Sequence, residues 1–251
     1  MDVSKAFGEL RSLLQHAPNL RAWYRVCALM EQWPPDAFEQ EVLPYIQTYI
    51  ARPPWSSQPR LAPTRWVLDV IDGHPMPYLL MASDIMIRRH ELTSSHIEIL
   101  GRCAHLLHIE QLRFEHVTIG PSDLKATLSA LGALNNLPVL FGLHFKGLAF
   151  TPSTLDGLLR GGLLDRVQLL TMRAASFDRQ TLDVLIQTRT LDALRELDVR
   201  DHDLGDTQTQ HLITHITGVC PRLLRLGISC SSNASSPQTH QQQLQPPFRL
   251  F

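Results

Sequence analysis

The stretch Leu194-Arg195-Glu196-Leu197-Asp198-Val199-Arg200-Asp201-His202-Asp203-Leu204-Gly205-Asp206 decides the fold. Its apolar residues keep one spacing: two anchors three apart, a third two further on, and a fourth five positions beyond that. Leu197 and Val199 flank Asp198, so they share one face of a short strand while Asp198 points the other way. Upstream, the same line returns as Ile109, Leu112, Phe114 and Ile119, as Leu140, Leu143, Phe145 and Phe150, and as Val167, Leu170, Met172 and Phe177. Downstream it lapses after Leu223, Leu226 and Ile228. The second anchors, Leu112, Leu143, Leu170, Leu197 and Leu226, are separated by 31, 27, 27 and 29 residues. Self-similarity at such a period is the signature of stacked structural repeats, and it outranks any local motif.

Each strand is followed by a second apolar set at helical spacing: Leu124, Leu128 and Leu131, then Leu155, Leu158 and Leu159, then Leu182, Leu185 and Ile186. A strand joined to a parallel strand by a helical crossover cannot bury its apolar face alone, but stacked units can. The expectation is an α/β fold, a right-handed α/β solenoid of about six repeats over residues 76–230, with a curved parallel sheet inside and helices outside. The pattern resembles leucine-rich repeats, specifically the long ribonuclease-inhibitor type with a helical convex side. Leu194–Asp206 looks like that subfamily's strand-and-turn segment, and Leu80, Ala82, Ile85, Ile87 and Leu92 form an earlier, degenerate copy. Family members usually carry Asn or Cys three residues after the third anchor, where this chain has Val117, Leu148, Ala175, His202 and Ser231. No amide ladder is therefore expected, and the turn backbone is left to water or local turns. The resemblance implies a non-enzymatic scaffold, adaptor or inhibitor that recognises a protein partner through the concave face.

Bulk properties narrow the partner. The 251 residues carry a net charge of −1 with 19% charged residues, which gives no global pull toward nucleic acid. The only lysines are Lys5, Lys125 and Lys146. Cys27, Cys103, Cys220 and Cys230 lie far apart, mostly in apolar helical segments, and read as buried free thiols. The first residues lack an apolar secretory core and no stretch approaches a membrane span, so the expected location is cytoplasmic and Asn233-Ala234-Ser235 is set aside as a glycosylation acceptor.

Residues 1–75 do not repeat and read as a helical cap over the first repeat. Phe7, Leu10, Leu13 and Leu14 mark one amphipathic helix, and Trp23, Val26, Cys27 and Met30 a second. A third follows Pro34-Pro35, with Asp36 as its cap and Phe38, Val42, Ile46 and Ile50 on one face. Residues 53–63, rich in Pro and Ser, read as a linker or irregular loop. Leu13-Leu14, Leu20, Arg25-Val26-Cys27 and Trp33 faintly resemble the helical F-box of ubiquitin-ligase adaptors, without its Leu-Pro opening, which makes a substrate-receptor adaptor the alternative. Residues 231–251 are a polar, low-complexity tail and are expected to be disordered.

Chemistry is sparse. His211 and His215 stand one turn apart on a helix, a geometry zinc can use, but Leu212 occupies the place of the glutamate a His-Glu-x-x-His site needs. Cys103, His105 and His108 form an equally weak ligand set. A metal-dependent enzyme using surface histidines is thus a distant rival; the expectation is no enzyme, no cofactor and no metal. Gly161-Gly162 reads as a helix end in which glycine relieves a left-handed residue.

The residues between the anchors point to the other face of the strands and form columns across the repeats. One column is Arg113, His144, Thr171 and Asp198; the next is Glu115, Lys146, Arg173 and Arg200; a third is Gln111, Gly142, Leu169 and Glu196. Three stacked cations, Lys146, Arg173 and Arg200, need compensation. Glu196, Asp198 and Asp201 are near enough in sequence to supply it, or an acidic patch on a protein partner can. The first two columns are the candidate partner-binding residues, with no nucleic acid and no membrane among the expected partners.

Overall fold

The structure is a computed structural model, and it describes residues 3–173, 178–187, 191–202, 204–228 and 249–250. Five helices come first: α1 (Val3–Gln15), α2 (Leu20–Met30), α3 (Pro35–Ala37), α4 (Leu43–Ile50) and α5 (Thr64–Ile71). A π-helical turn over Phe38–Val42 joins α3 to α4. Strands and helices then alternate: β1 (Asp84–Arg88), β2 (Glu91–Leu92), α6 (Ser94–Arg102), β3 (Gln111–Glu115), β4 (Thr118–Ile119) and α7 (Leu124–Gly132). After these come β5 (Gly142–Lys146), α8 (Pro152–Arg160), β6 (Leu169–Arg173), α9 (Arg179–Gln187), β7 (Glu196–Val199), α10 (Asp206–Val219), β8 (Arg225–Ile228) and β9 (Arg249–Leu250).

The result is an α/β structure around one parallel sheet in the order β1-β3-β5-β6-β7-β8-β9; β2 and β4 pair in a small parallel ladder beside it. Every long strand lies next to its sequence successor, because each helical crossover returns the chain one strand further along. The register is strict. Ile85, Leu112, Leu143, Leu170, Leu197 and Leu226 sit side by side across six strands, all buried. Ile87, Phe114, Phe145 and Met172 form a second buried row, and the Phe114 and Phe145 rings stack with centroids 5.4 Å apart. Burying one such side chain contributes about 1.5–3 kcal/mol, so these rows carry much of the cohesion between neighbouring units.

The turns after the strands show how the missing amide ladder is replaced. Arg89, His116 and Asp201 have φ of 50°, 51° and 63°, and Gly147 has 71°, each two residues past the third anchor. His and Asp tolerate this left-handed region better than most residues. Glycine is required at 147, where a Cβ would stand 2.5 Å from His116 Nδ1. The amides of Arg89, His116 and Gly147 donate to Glu115 O, Lys146 O and Arg173 O, at 3.0, 2.7 and 2.9 Å. The next strand therefore satisfies the turn, not water or a local turn as expected. Val117 and Leu148, at the positions where leucine-rich repeats carry Asn, are core residues here, and buried His202 donates through Nε2 to Met172 O of the preceding unit. Ala175 and Ser231 lie outside the described residues.

On the helical side, buried Thr127, Thr154, Thr181 and Thr209 recur in successive helices. Asp123, at the start of α7, accepts from Ser94 N at 2.8 Å and Ser94 Oγ at 3.0 Å, tying it to the start of α6. The Gly161 expectation is corrected: its φ is −74°, an ordinary value. Its glycine serves close approach, since a Cβ there would meet Gly132 C and O at 2.0 Å.

The N-terminal helices cover the β1 edge. Leu61 bridges Asp84 in parallel, Ala62 N donates to Asp84 O at 2.8 Å, and α5 packs on β1 and α6. Residues 53–63 are packed in place: Trp55 is buried and donates through Nε1 to Leu14 O at 2.8 Å, and Arg60 is buried beside Ser83. Of the two readings of this segment the irregular loop stands and the linker does not, because an indole and a guanidinium anchor it. The third helix is preceded by Pro34, with Asp36 inside its first turn instead of capping it. Leu13, Leu14, Val26, Cys27 and Trp33, which carry the F-box likeness, are buried, while Leu20 stands 53% exposed. Of the tail, Arg249–Leu250 pairs with β8; the other residues from 229 onward, Cys230 and Asn233 among them, lie outside the described residues.

Candidate functional site

On the solvent side of the sheet the register brings the first column together: Arg113, His144, Thr171 and Asp198 lie on adjacent strands, followed by Gly227. In the second column Glu115, Lys146 and Arg173 are in register. All eight residues singled out from the sequence line one shallow cleft of about 330 Å³, together with Phe114, Phe145, Leu169 and Glu196.

Arg200 departs from the expected line. Strand β7 ends at Val199, so Arg200 lies beyond the last paired residue of the strand. Its guanidinium folds back onto Asp198, with Nε at 3.0 Å from Oδ1 and an NH2 group at 2.8 Å from Oδ2. Arg173 reaches the same carboxylate from β6, donating through Nε at 2.7 Å to Oδ2 and again through its NH2 group. Burial raises the Asp198 carboxyl above the ordinary range, and Arg173 offsets only part of that rise. Two bonded guanidinium groups favour its ionised form. Of the three carboxylates put forward from the sequence as compensation for the arginines, Asp198 is bonded to both Arg173 and Arg200, while Glu196 faces Arg225 at 3.4 Å.

A second network fills the other half of the face. Buried Asp84 accepts from Ser83 Oγ at 2.7 Å and from Arg113 NH2 at 3.1 Å. The same arginine group donates to Gln111 Oε1 at 2.6 Å, and that oxygen lies 3.2 Å from His144 Nε2. An amide oxygen only accepts, so His144 carries its proton on Nε2 and Nδ1 accepts from Thr171 Oγ1 at 3.1 Å. Burial, then Arg113, then Arg173 push the His144 imidazole down to about 4, so it is neutral at pH 7. Two glycines make room for these bonds. A Cβ at Gly142 would stand 3.1 Å from Gln111 Cγ and 3.2 Å from His144 Nε2; one at Gly227 would stand 2.8 Å from Asp198 Oδ1.

Asp84 and the roles of Gln111, Gly142 and Gly227 were not foreseen. The signal for Asp84 was available: extending the Gln111 column one repeat back through the degenerate copy reaches it. The space-making glycines leave no periodic trace.

The His211 and His215 rings stand close, with centroids 4.4 Å apart. His211 pairs with Asp183 on α9 at 3.0 Å, His215 Nδ1 donates to His211 O at 2.8 Å, and Cys103 is half-buried with its thiol pushed up by burial. Among the described residues no three His, Cys, Asp or Glu side chains group as a metal site would need, and no helix is long and apolar enough to cross a membrane. Comparison with known proteins finds no family model and no curated sequence that matches this chain.

Proposed function

We propose that the chain is a leucine-rich-repeat solenoid of the long, ribonuclease-inhibitor-like type, with residues 1–75 as its helical cap, and that it is a non-enzymatic interaction protein. It binds a protein partner through the strand-lined face, which is the concave one in such a horseshoe. The in-order parallel ladder and the leucine row at a period near 27 residues support the architecture.

One observation carries the functional reading. Side chains from four successive strands line a single open cleft and are held by bonds to one another: Arg113 by Asp84 and Gln111, His144 by Gln111 and Thr171, Arg173 by Asp198. Side chains fixed before contact lose little freedom on binding, which is the property of a recognition surface. The test is affinity capture with the wild type, with Thr171→Trp, which fills the cleft, and with Arg160→Trp on the helical side. A stoichiometric protein retained by the wild type and Arg160→Trp but lost by folded Thr171→Trp is the expected result. Its retention by Thr171→Trp overturns the reading.

A further inference from the structure

We infer that Lys146 seats a carboxylate of the protein partner, so that the face reads an individual acidic side chain, not a broad acidic surface. This rests on the reading of the face as a docking surface and narrows it.

The charges in the cleft do not stand alike. Arg113 is bonded to buried Asp84, and Arg173 and Arg200 are both bonded to buried Asp198. Glu115 faces Arg88 at 3.6 Å and Glu196 faces Arg225 at 3.4 Å, both arginines outside the cleft lining. Lys146 is exposed and makes no ion pair among the described residues. It lies in register between Glu115, which is turned to Arg88, and Arg173, on strands spaced about 4.8 Å apart. Like charges on neighbouring strands repel, and a carboxylate placed over both relieves that repulsion. Arg173 can take part without leaving Asp198, because Nε and one terminal nitrogen serve Asp198 and the other terminal nitrogen keeps its two donors. His144, neutral at pH 7, adds no competing charge beside them.

The same inventory decides what kind of anion fits. A nucleic-acid backbone needs a run of uncommitted cations. Here Arg113, Arg173 and Arg200 are already committed, and Glu115, Glu196 and Asp198 line the same cleft and repel a polyphosphate.

The experiment uses the full chain at low salt with a fluorescein-labelled octaglutamate peptide, an octaglutamine peptide and a single-stranded DNA octamer, read by anisotropy. Octaglutamate should bind and octaglutamine should not. Lys146→Gln should weaken octaglutamate binding by about three- to ten-fold, with Lys146→Arg restoring it to within about two-fold. Arg160→Gln, on α8, should leave binding unchanged. Equal binding by the wild type and Lys146→Gln overturns the inference, as does no octaglutamate binding at all or tighter binding of the DNA. These failures differ from failure of the face itself: Thr171→Trp losing capture while octaglutamate ignores Lys146 removes the carboxylate seat alone. Retained capture by Thr171→Trp removes the docking face whatever the peptide does.

Discussion

The two faces of the same strands follow opposite rules. On the inner face one residue type repeats: Leu112, Leu143, Leu170, Leu197 and Leu226 occupy the same place in five strands, all buried. On the outer face the matching positions change at every strand, from Arg113 to His144 to Thr171 to Asp198 to Gly227. Dispersion and burial are non-directional, so each unit can solve its packing in the same way as the last. Hydrogen bonds between long polar side chains are directional, so each outer residue must suit two different neighbours. On the proposed reading the contrast separates cohesion from recognition: a change inside should cost stability, and a change outside should mostly alter what is bound.

The contrast breaks first at Leu170, in the middle of the inner row. Leu170→Ala is expected to destabilise the protein by about 2–5 kcal/mol in urea unfolding, because the space it leaves is enclosed by Leu143 and Leu197. A loss under about 0.5 kcal/mol would mean that the row does not hold the units together.

His144 blurs the division, since it is an outer residue that is mostly buried. Its folded pKa of about 4 lies below the ordinary 6.5, so between these values the unfolded chain takes up the proton first. Stability from this group is therefore present above pH 6.5 and lost as pH falls toward 4, by about 2–3 kcal/mol. His144→Gln should flatten that part of the pH–stability curve; an unchanged slope counts against the buried, neutral imidazole.

Asp198 comes next. Asp198→Asn keeps the shape but removes the charge from between Arg173 and Arg200, and about 1–3 kcal/mol of destabilisation is expected. By the same logic Arg173 is not a freely reversible surface charge. Arg173→Glu would set a carboxylate against buried Asp198. At the small end, Lys146→Gln should change unfolding free energy by less than about 0.5 kcal/mol, because this exposed ammonium makes no internal ion pair among the described residues. A loss above about 1 kcal/mol would tie Lys146 to the fold.

How much of this was legible follows the same division. The inner row could be read from spacing alone, because a repeated solution leaves a period. The outer columns could be placed, since alternation within Leu197-Asp198-Val199 assigns faces, but the bonds within them could not. Arg113 finds Asp84, 29 positions away in the most degenerate copy, and Arg200 leaves its column because β7 ends at Val199 and its guanidinium folds back onto Asp198. Gly142 and Gly227 matter through the atoms a side chain would displace, which no single repeat encodes. At 53–63 composition reported the irregular loop, because it reports turn chemistry, but not the anchoring of Trp55 and Arg60 by distant partners, Leu14 and Ser83.

The claim that the outer face is the docking surface is tested most directly by site-specific photo-crosslinking. A photoreactive side chain is placed at Thr171, within the cleft, and in a second protein at Arg160, on the helical side. The account predicts a discrete crosslinked protein from position 171 in the native cell extract and none from position 160. Equal products from both sites, or a product from position 160 alone, would contradict it.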